Sequence, residues 1–122
     1  MNKKNQWVYL THMWAMCKKA LEIVNSLEKN EFLQNEILQL ALTRLIEVIG
    51  EAASHVDELT RFEQEAIPWN EIIGMRHRIV HDYLNVDEQI IWQVALEDLP
   101  GLYIILDQII PNADSYTHLK LP

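Results

Sequence analysis

"NEIIGMRHRIVHDYLN", residues 70–85, is the stretch whose reading decides the fold. Four basic side chains, Arg76, His77, Arg78 and His81, stand among apolar neighbours, and Tyr83 follows two positions after the last of them. Turned at about 100° per residue from Ile72 at zero, Met75 falls at about 300°, Ile79 at about 340°, Tyr83 at about 20° and Trp69 at about 60°. Val80, Ile73 and Leu84 carry the arc on to about 120°. A helix over 69–84 therefore has an apolar face roughly 180° wide, broader than the stripe of a surface helix. Arg76, at about 40°, lies in the middle of that face. A guanidinium there is costly unless it is paired or lines a cleft. Glu47 and Glu51, one turn apart on the preceding helical segment, are its candidate partners.

The same wheel puts His77, His81 and Gly74 at about 140°, 180° and 200°, on the edge away from the core. Glycine costs a helix interior about 1 kcal/mol against alanine. Seven residues from His81, Gly74 clears a shallow notch where a second chain or a substrate backbone can approach. Arg76 and His81 diverge by about 140° on a regular helix. They meet on one ligand only if the arginine wraps round, the helix end loosens, or a second subunit completes the site. A protonated His81 is favoured by the negative end of the helix dipole.

The rest of the chain is helical in pattern. Its 122 residues suffice for one domain with its own core, and three glycines and four prolines are too few for a strand-and-turn fold. The first helix is expected from about Asn5 to Leu27, with Val8, Leu10, Met13, Trp14, Cys17, Leu21 and Val24 on its apolar side. The second is expected from about Glu31 to Val56, with Phe32, Ile37, Leu40, Ala41, Leu45, Val48, Ile49 and Ala52 inward. Lys29-Asn30 is the expected tight connection of an antiparallel hairpin. "DELTRFEQEAIP", residues 57–68, is expected to be a loop ending in a helix-starting proline. The fourth helix begins near Val86-Asp87, and Pro100-Gly101 should kink or break it. Residues 111–122 form an irregular tail. The fold expected is an all-α up-and-down bundle of four to five helices: one domain over 1–122 with its core at about 5–110.

Composition narrows the function. A formal charge of −8 argues against nucleic-acid binding through a broad basic surface, so any such chemistry must use a local patch. The lone Cys17 excludes an internal disulfide framework and, on a core-facing stripe, reads as inert. Without an apolar leader or spanning segment, a cytoplasmic protein away from membranes is expected.

His77 and His81 have the i, i+4 spacing of a zinc pair, but no HExxH, ExxH pair or CxxC accompanies them, and two arginines beside a dication disfavour it. No metal or cofactor is expected. Arg78 and Asp82 read as a solvated surface pair. Glu47 and Glu51 read as partners for a basic residue rather than as an acid–base pair. No GxSxG, P-loop or GxGxxG is present. What remains is chemistry that an arginine and a histidine manage together, and cleavage of RNA by its own 2′-hydroxyl is the obvious candidate.

At this point the segments resemble a known family. "IPWNEIIGMRHRIVHDYLNVDEQIIWQVALEDLP" and "LQLALTRLIEVIGEAASHV", with its E-x-x-G-E-A at Glu47, Gly50, Glu51 and Ala52, are similar to the HEPN domains of HepT-like toxins over about residues 9–110. The resemblance implies a dimeric bundle acting as a metal-independent endoribonuclease on tRNA or mRNA. It makes Arg76 of R-x4-H the phosphate-binding residue and His81 the acid–base residue, in a cleft at the dimer interface. It implies a nucleotidyltransferase antitoxin of the MNT type that places AMP on Tyr83. His77 stands where many family members carry a small polar residue, and it and Arg78 are auxiliary substrate contacts at most. A dimer cleft would also account for Arg76 on an apolar arc and for Gly74 at a close approach. The alternative is a non-catalytic HEPN module that binds nucleotide or its partner enzyme.

Overall fold

The computed structural model describes residues 3–79 and 86–110, with side chains from Gln6 onward. The chain winds into α1 (Lys3–Asn25), α2 (Lys29–Leu33), α3 (Glu36–Ser54), α4 (Glu58–Glu63), α5 (Trp69–Ile79) and α6 (Glu88–Gln93). A π-helical turn over Val94–Asp98 then leads into α7 (Leu99–Ile109). No strand occurs among the described residues, and no helix there is long and apolar enough to cross a membrane. The fold is all-α, as expected: α1, α3, α5 and the α6–α7 rod are the long members, and α2 and α4 are short additions.

The core follows from the helical stripes. Leu10, Met13 and Cys17 of α1 meet Leu42, Ile46 and Ile49 of α3, with Ile79, Ile91, Leu99 and Leu106 closing the interior, all fully or almost fully buried. Phe32 of α2 packs on Trp92 of α6 with ring centroids 5.2 Å apart. On the α1–α7 flank Trp14 stacks on Tyr103 and donates its indole N–H to Asp107 Oδ1 at 3.0 Å.

Several boundaries differ from the sequence reading. The α1–α2 connection is residues 26–28; Lys29-Asn30 already lies in α2, which Glu28 and Glu31 start through a reciprocal capping box. The expected second helix is broken at Gln34-Asn35. Asn35 Oδ1 caps α3 by accepting from Leu38 N at 3.0 Å, and the Phe32 carbonyl before the break accepts from both Asn35 N and Gln39 Nε2 at 3.0 Å.

The expected loop at 57–68 contains α4. Its signal was the Asp57-x-x-Thr60 cap, in which Asp57 Oδ1 accepts from Thr60 N at 2.8 Å. These hydrogen bonds hold the Asp57 carboxyl below its ordinary value. Arg61 of α4 donates to the Ala53 and Ser54 carbonyls at the end of α3 (3.3 Å each) and to the Val56 carbonyl just beyond it (3.0 Å), and lies over the Trp69 ring at the start of α5. A segment too polar to read as core is thus the brace between α3 and α5.

Pro100 neither breaks nor sharply ends the last rod. Lacking an N–H, it would leave the Leu96 carbonyl without its α-helical partner. The chain widens one turn earlier, where Leu99 N donates to Val94 O, and Pro100 then sits in the first turn of α7.

Three residues expected inside are exposed: Val8, Ile37 (77%) and Leu40 (64%). On α3 the inward face is Leu42, Ile46, Ile49 and Ala53, because α1 and α5 pack there. The apolar arc of α3 is wider than the face its neighbours cover, so its period alone could not say which part of it goes inward. The tail at 111–122 and the expected extension of the third helix over 80–84 lie outside the described residues.

Candidate active site

α5 buries Trp69, Ile72, Met75 and Ile79, with Ile73 half-buried. Within its described length the buried arc is about 120° wide, narrower than the pattern suggested, and Arg76 falls inside it, between Ile72 and Trp69. The guanidinium is exposed, with 65% of the side chain open to solvent. Neighbouring elements leave this part of the arc open, and the α3 residue beside Arg76 is Glu47, in the middle of that helix.

Glu47, more enclosed at 24%, is the acidic neighbour, with its Oε2 3.9 Å from Arg76 Nε. At that separation the pair is a loose electrostatic contact without a hydrogen bond. Glu51 turns away and pairs with Arg44 at 3.3 Å. Arg76 is therefore oriented from one side while its donors stay available to a second anion, which suits a phosphate-binding arginine.

The two helices meet at Gly50. A Cβ there would stand 3.3 Å from the Ile72 carbonyl oxygen and 3.8 Å from that of Ile73. The missing side chain lets the α5 backbone lie against α3, and Glu47, one turn before Gly50, reaches Arg76 as a result. Sequence reasoning marked Gly50 as part of a motif but missed this packing role; a glycine in mid-helix between apolar turns was the available signal. Gly74 is the opposite case. A Cβ there meets nothing within 4 Å, so no intrachain contact accounts for it.

His77 and Arg78 are exposed in the last turn of α5. Arg78 Nη1 donates to Asp98 Oδ2 in the π turn, a cross-helix pair; the anticipated local pair with Asp82 lies outside the described residues. His81, Asp82 and Tyr83 lie outside the described residues. The chain on either side of them is tied together: Asp87 N donates to Ile79 O at 3.0 Å, and Asp87 Oδ1 caps α6 through Gln89 N and Ile90 N. The end of α5 and the start of α6 are thereby fixed at one point of the fold, beside the Arg78–Asp98 contact. No group of three His, Cys, Asp or Glu side chains suited to a metal ion occurs among the described residues.

Residues 13–109 match the family model described as "Ribonuclease HepT-like". The chain belongs to the HepT-like ribonuclease family. It is 34% identical over 94 residues to a protein of Caldanaerobacter subterraneus subsp. tengcongensis named "Putative RNase TTE0752", covering 77% of this chain and 84% of the relative. It is 28% identical over 102 residues to "Putative RNase MJ1380" of Methanocaldococcus jannaschii, covering 84% and 94%. It is 33% identical over 89 residues to "Probable ribonuclease HepT" of Thermococcus cleftensis, covering 69% and 80%. No solved structure matches. The HepT-like match takes in α3, α5 and the segment between α5 and α6, and so contains every candidate residue named above.

Proposed function

We propose that this HepT-like protein is an endoribonuclease toxin that cuts tRNA or mRNA without a metal, working as a dimer. Arg76 binds the scissile phosphate and stabilises the charge that grows on it. His81 takes the proton from the 2′-hydroxyl, whose oxygen attacks the phosphorus, and the 5′-oxygen of the next nucleotide departs with a proton. The products are a 2′,3′-cyclic phosphate and a 5′-hydroxyl. The observation that carries the reading is the state of Arg76: exposed, steered by Glu47 at 3.9 Å, with donors open to another anion in a chain otherwise acidic.

Silencing follows from the same electrostatics. A nucleotidyltransferase antitoxin transfers AMP from ATP to the Tyr83 hydroxyl, releasing pyrophosphate. The added phosphate competes with RNA for Arg76. His77 and Arg78, the latter paired with Asp98, are auxiliary substrate contacts at most.

The test is cleavage of labelled RNA by the parent, Arg76→Ala and His81→Ala proteins, with end-group analysis and with growth on expression. Both variants should fold, lose cleavage by at least about a hundredfold and stop arresting growth. Cleavage unchanged in both variants overturns the assignment. Co-expression with the nucleotidyltransferase should raise the intact mass by AMP-sized steps, and Tyr83→Phe should remove the rise.

A further inference from the structure

A groove opens between α2 and α6, beside the candidate active site. Phe32 holds α2 against α6 by packing its ring on Trp92. Lys29 stands three residues before Phe32, one turn away on the same side of α2, and is thereby set next to α6. Between the two helices lies a cavity of about 680 Å³, the size of a small-ligand site. It is lined by Lys29 from α2, by Gln89, Ile90, Trp92 and Gln93 from α6, and by Leu96 from the π turn. Its position ties it to the chemistry. Asp87 lines it too, and the Asp87 N–H is the one that closes on the Ile79 carbonyl at the end of α5. Ile79 is only about 4.5 Å of helix rise beyond Arg76. Glu97, another lining residue, adjoins the Asp98 that pairs with Arg78. An RNA strand with its scissile phosphate on Arg76 has the groove within reach of a neighbouring nucleotide.

The polar groups of the groove fit that occupant. Its two carboxylates are already engaged: Asp87 Oδ1 accepts from Gln89 N and Ile90 N, and Glu97 Oε1 accepts from Gln93 Nε2 at 3.4 Å. Lys29 forms no ion pair among the described residues, so its ammonium is open to a phosphate as a point charge. Gln89 and Gln93 stand one turn apart on α6, both exposed. The Gln89 side chain makes no hydrogen bond among the described residues, and the bond to Glu97 leaves Gln93 its carbonyl oxygen and one N–H. Two amides thus offer donors and acceptors together, which is what the edge of an unstacked base needs. Ile90, half-buried, and Leu96, 46% exposed, give the ring an apolar bed.

We infer that the groove between α2 and α6 is a substrate subsite. It holds one single-stranded nucleotide flanking the scissile phosphate, with Lys29 on a backbone phosphate and Gln89 and Gln93 reading the base. This rests on the ribonuclease reading given above and assigns the residues that set its sequence preference.

The test compares the full-length parent with Lys29→Ala and with a Gln89→Ala, Gln93→Ala double variant. The substrates are short single-stranded oligoribonucleotides varied one base at a time on either side of the cut. Lys18→Ala, beside Trp14 on α1, is the control for loss of one positive charge elsewhere. All these side chains are exposed, so each variant should keep the parent's Tm within about 2 °C. Lys29→Ala should raise KM at least about tenfold for every sequence, with a smaller effect on kcat. In a His81→Ala background, fluorescence anisotropy should show Lys29→Ala lowering the slope of log Kd against log salt by about 0.7, one single-strand phosphate contact. The double glutamine variant should lose at least about tenfold of the base preference at one position and keep the salt slope. A parent that cuts, with KM and preference unchanged in both groove variants, overturns the subsite and leaves the ribonuclease reading standing. Equal losses in Lys18→Ala and Lys29→Ala overturn it as well, in favour of general charge. A parent without base preference overturns the role of the two amides. RNA binding that depends on Lys29 in a chain that does not cut overturns the ribonuclease reading alone, and a parent that neither cuts nor binds overturns both.

Discussion

Two glycine-to-alanine substitutions add the same methyl group and should act in opposite directions. Gly74 lies inside α5, where a Cβ meets nothing within 4 Å. Alanine there gains about 1 kcal/mol of helix propensity at no steric cost. With an unfolding entropy of about 2.1 cal/mol/K per residue, a chain of 122 residues converts that gain into a rise of about 4 °C in Tm. At Gly50 the propensity gain is the same, but the new Cβ stands 3.3 Å from the Ile72 carbonyl oxygen, a backbone atom that moves only if α5 does. The few tenths of an ångström required should cancel the gain, leaving Gly50→Ala at or below the parent. Gly50→Val adds two more methyls and should lose about 2–3 kcal/mol, or about 8–12 °C. The assay is reversible thermal unfolding by circular dichroism at fixed protein concentration. A Gly50→Ala protein as stabilised as Gly74→Ala would refute the close α3–α5 contact, and with it the account of how Glu47 reaches Arg76.

Other outcomes follow from single contacts. Arg61→Ala removes three hydrogen bonds to the carbonyls at and just past the end of α3 and the cation over Trp69, and should cost about 2 kcal/mol, a fall of about 8 °C. Arg78→Ala breaks a half-exposed ion pair with Asp98 and should move stability by less than about 1 kcal/mol. Cys17 is buried, which pushes its thiol from 9.0 up to about 12. A thiol reagent should therefore modify it only through global unfolding. Because the folded value is the raised one, its contribution to stability is complete below pH 9 and is lost as pH rises toward 12. Asp57 runs the other way: its lowered folded value makes the cap of α4 effective above the unfolded carboxylate range and lost as pH falls through the folded value. Amide exchange in 58–63 should quicken first in acid.

What the sequence determined by itself was the helical period, its main punctuation and the residue types of the site. Leu10, Met13 and Cys17 at helical spacing place α1 correctly, Pro68 and Asp87 start α5 and α6 where expected, and the motif around Arg76 carries the family. These are local or patterned signals, readable because a cap or a stripe is written within a few residues. Only the tertiary structure decided which part of the wide apolar arc of α3 goes inward, since that arc is broader than the face α1 and α5 cover. The same holds for α4, whose polar sequence is tied to the chain at and just past the end of α3 through Arg61. It also holds for Arg76, whose exposure depends on which side of α5 its neighbours cover. The wheel fixes the direction of a side chain from its own axis. What lies in that direction belongs to another part of the chain.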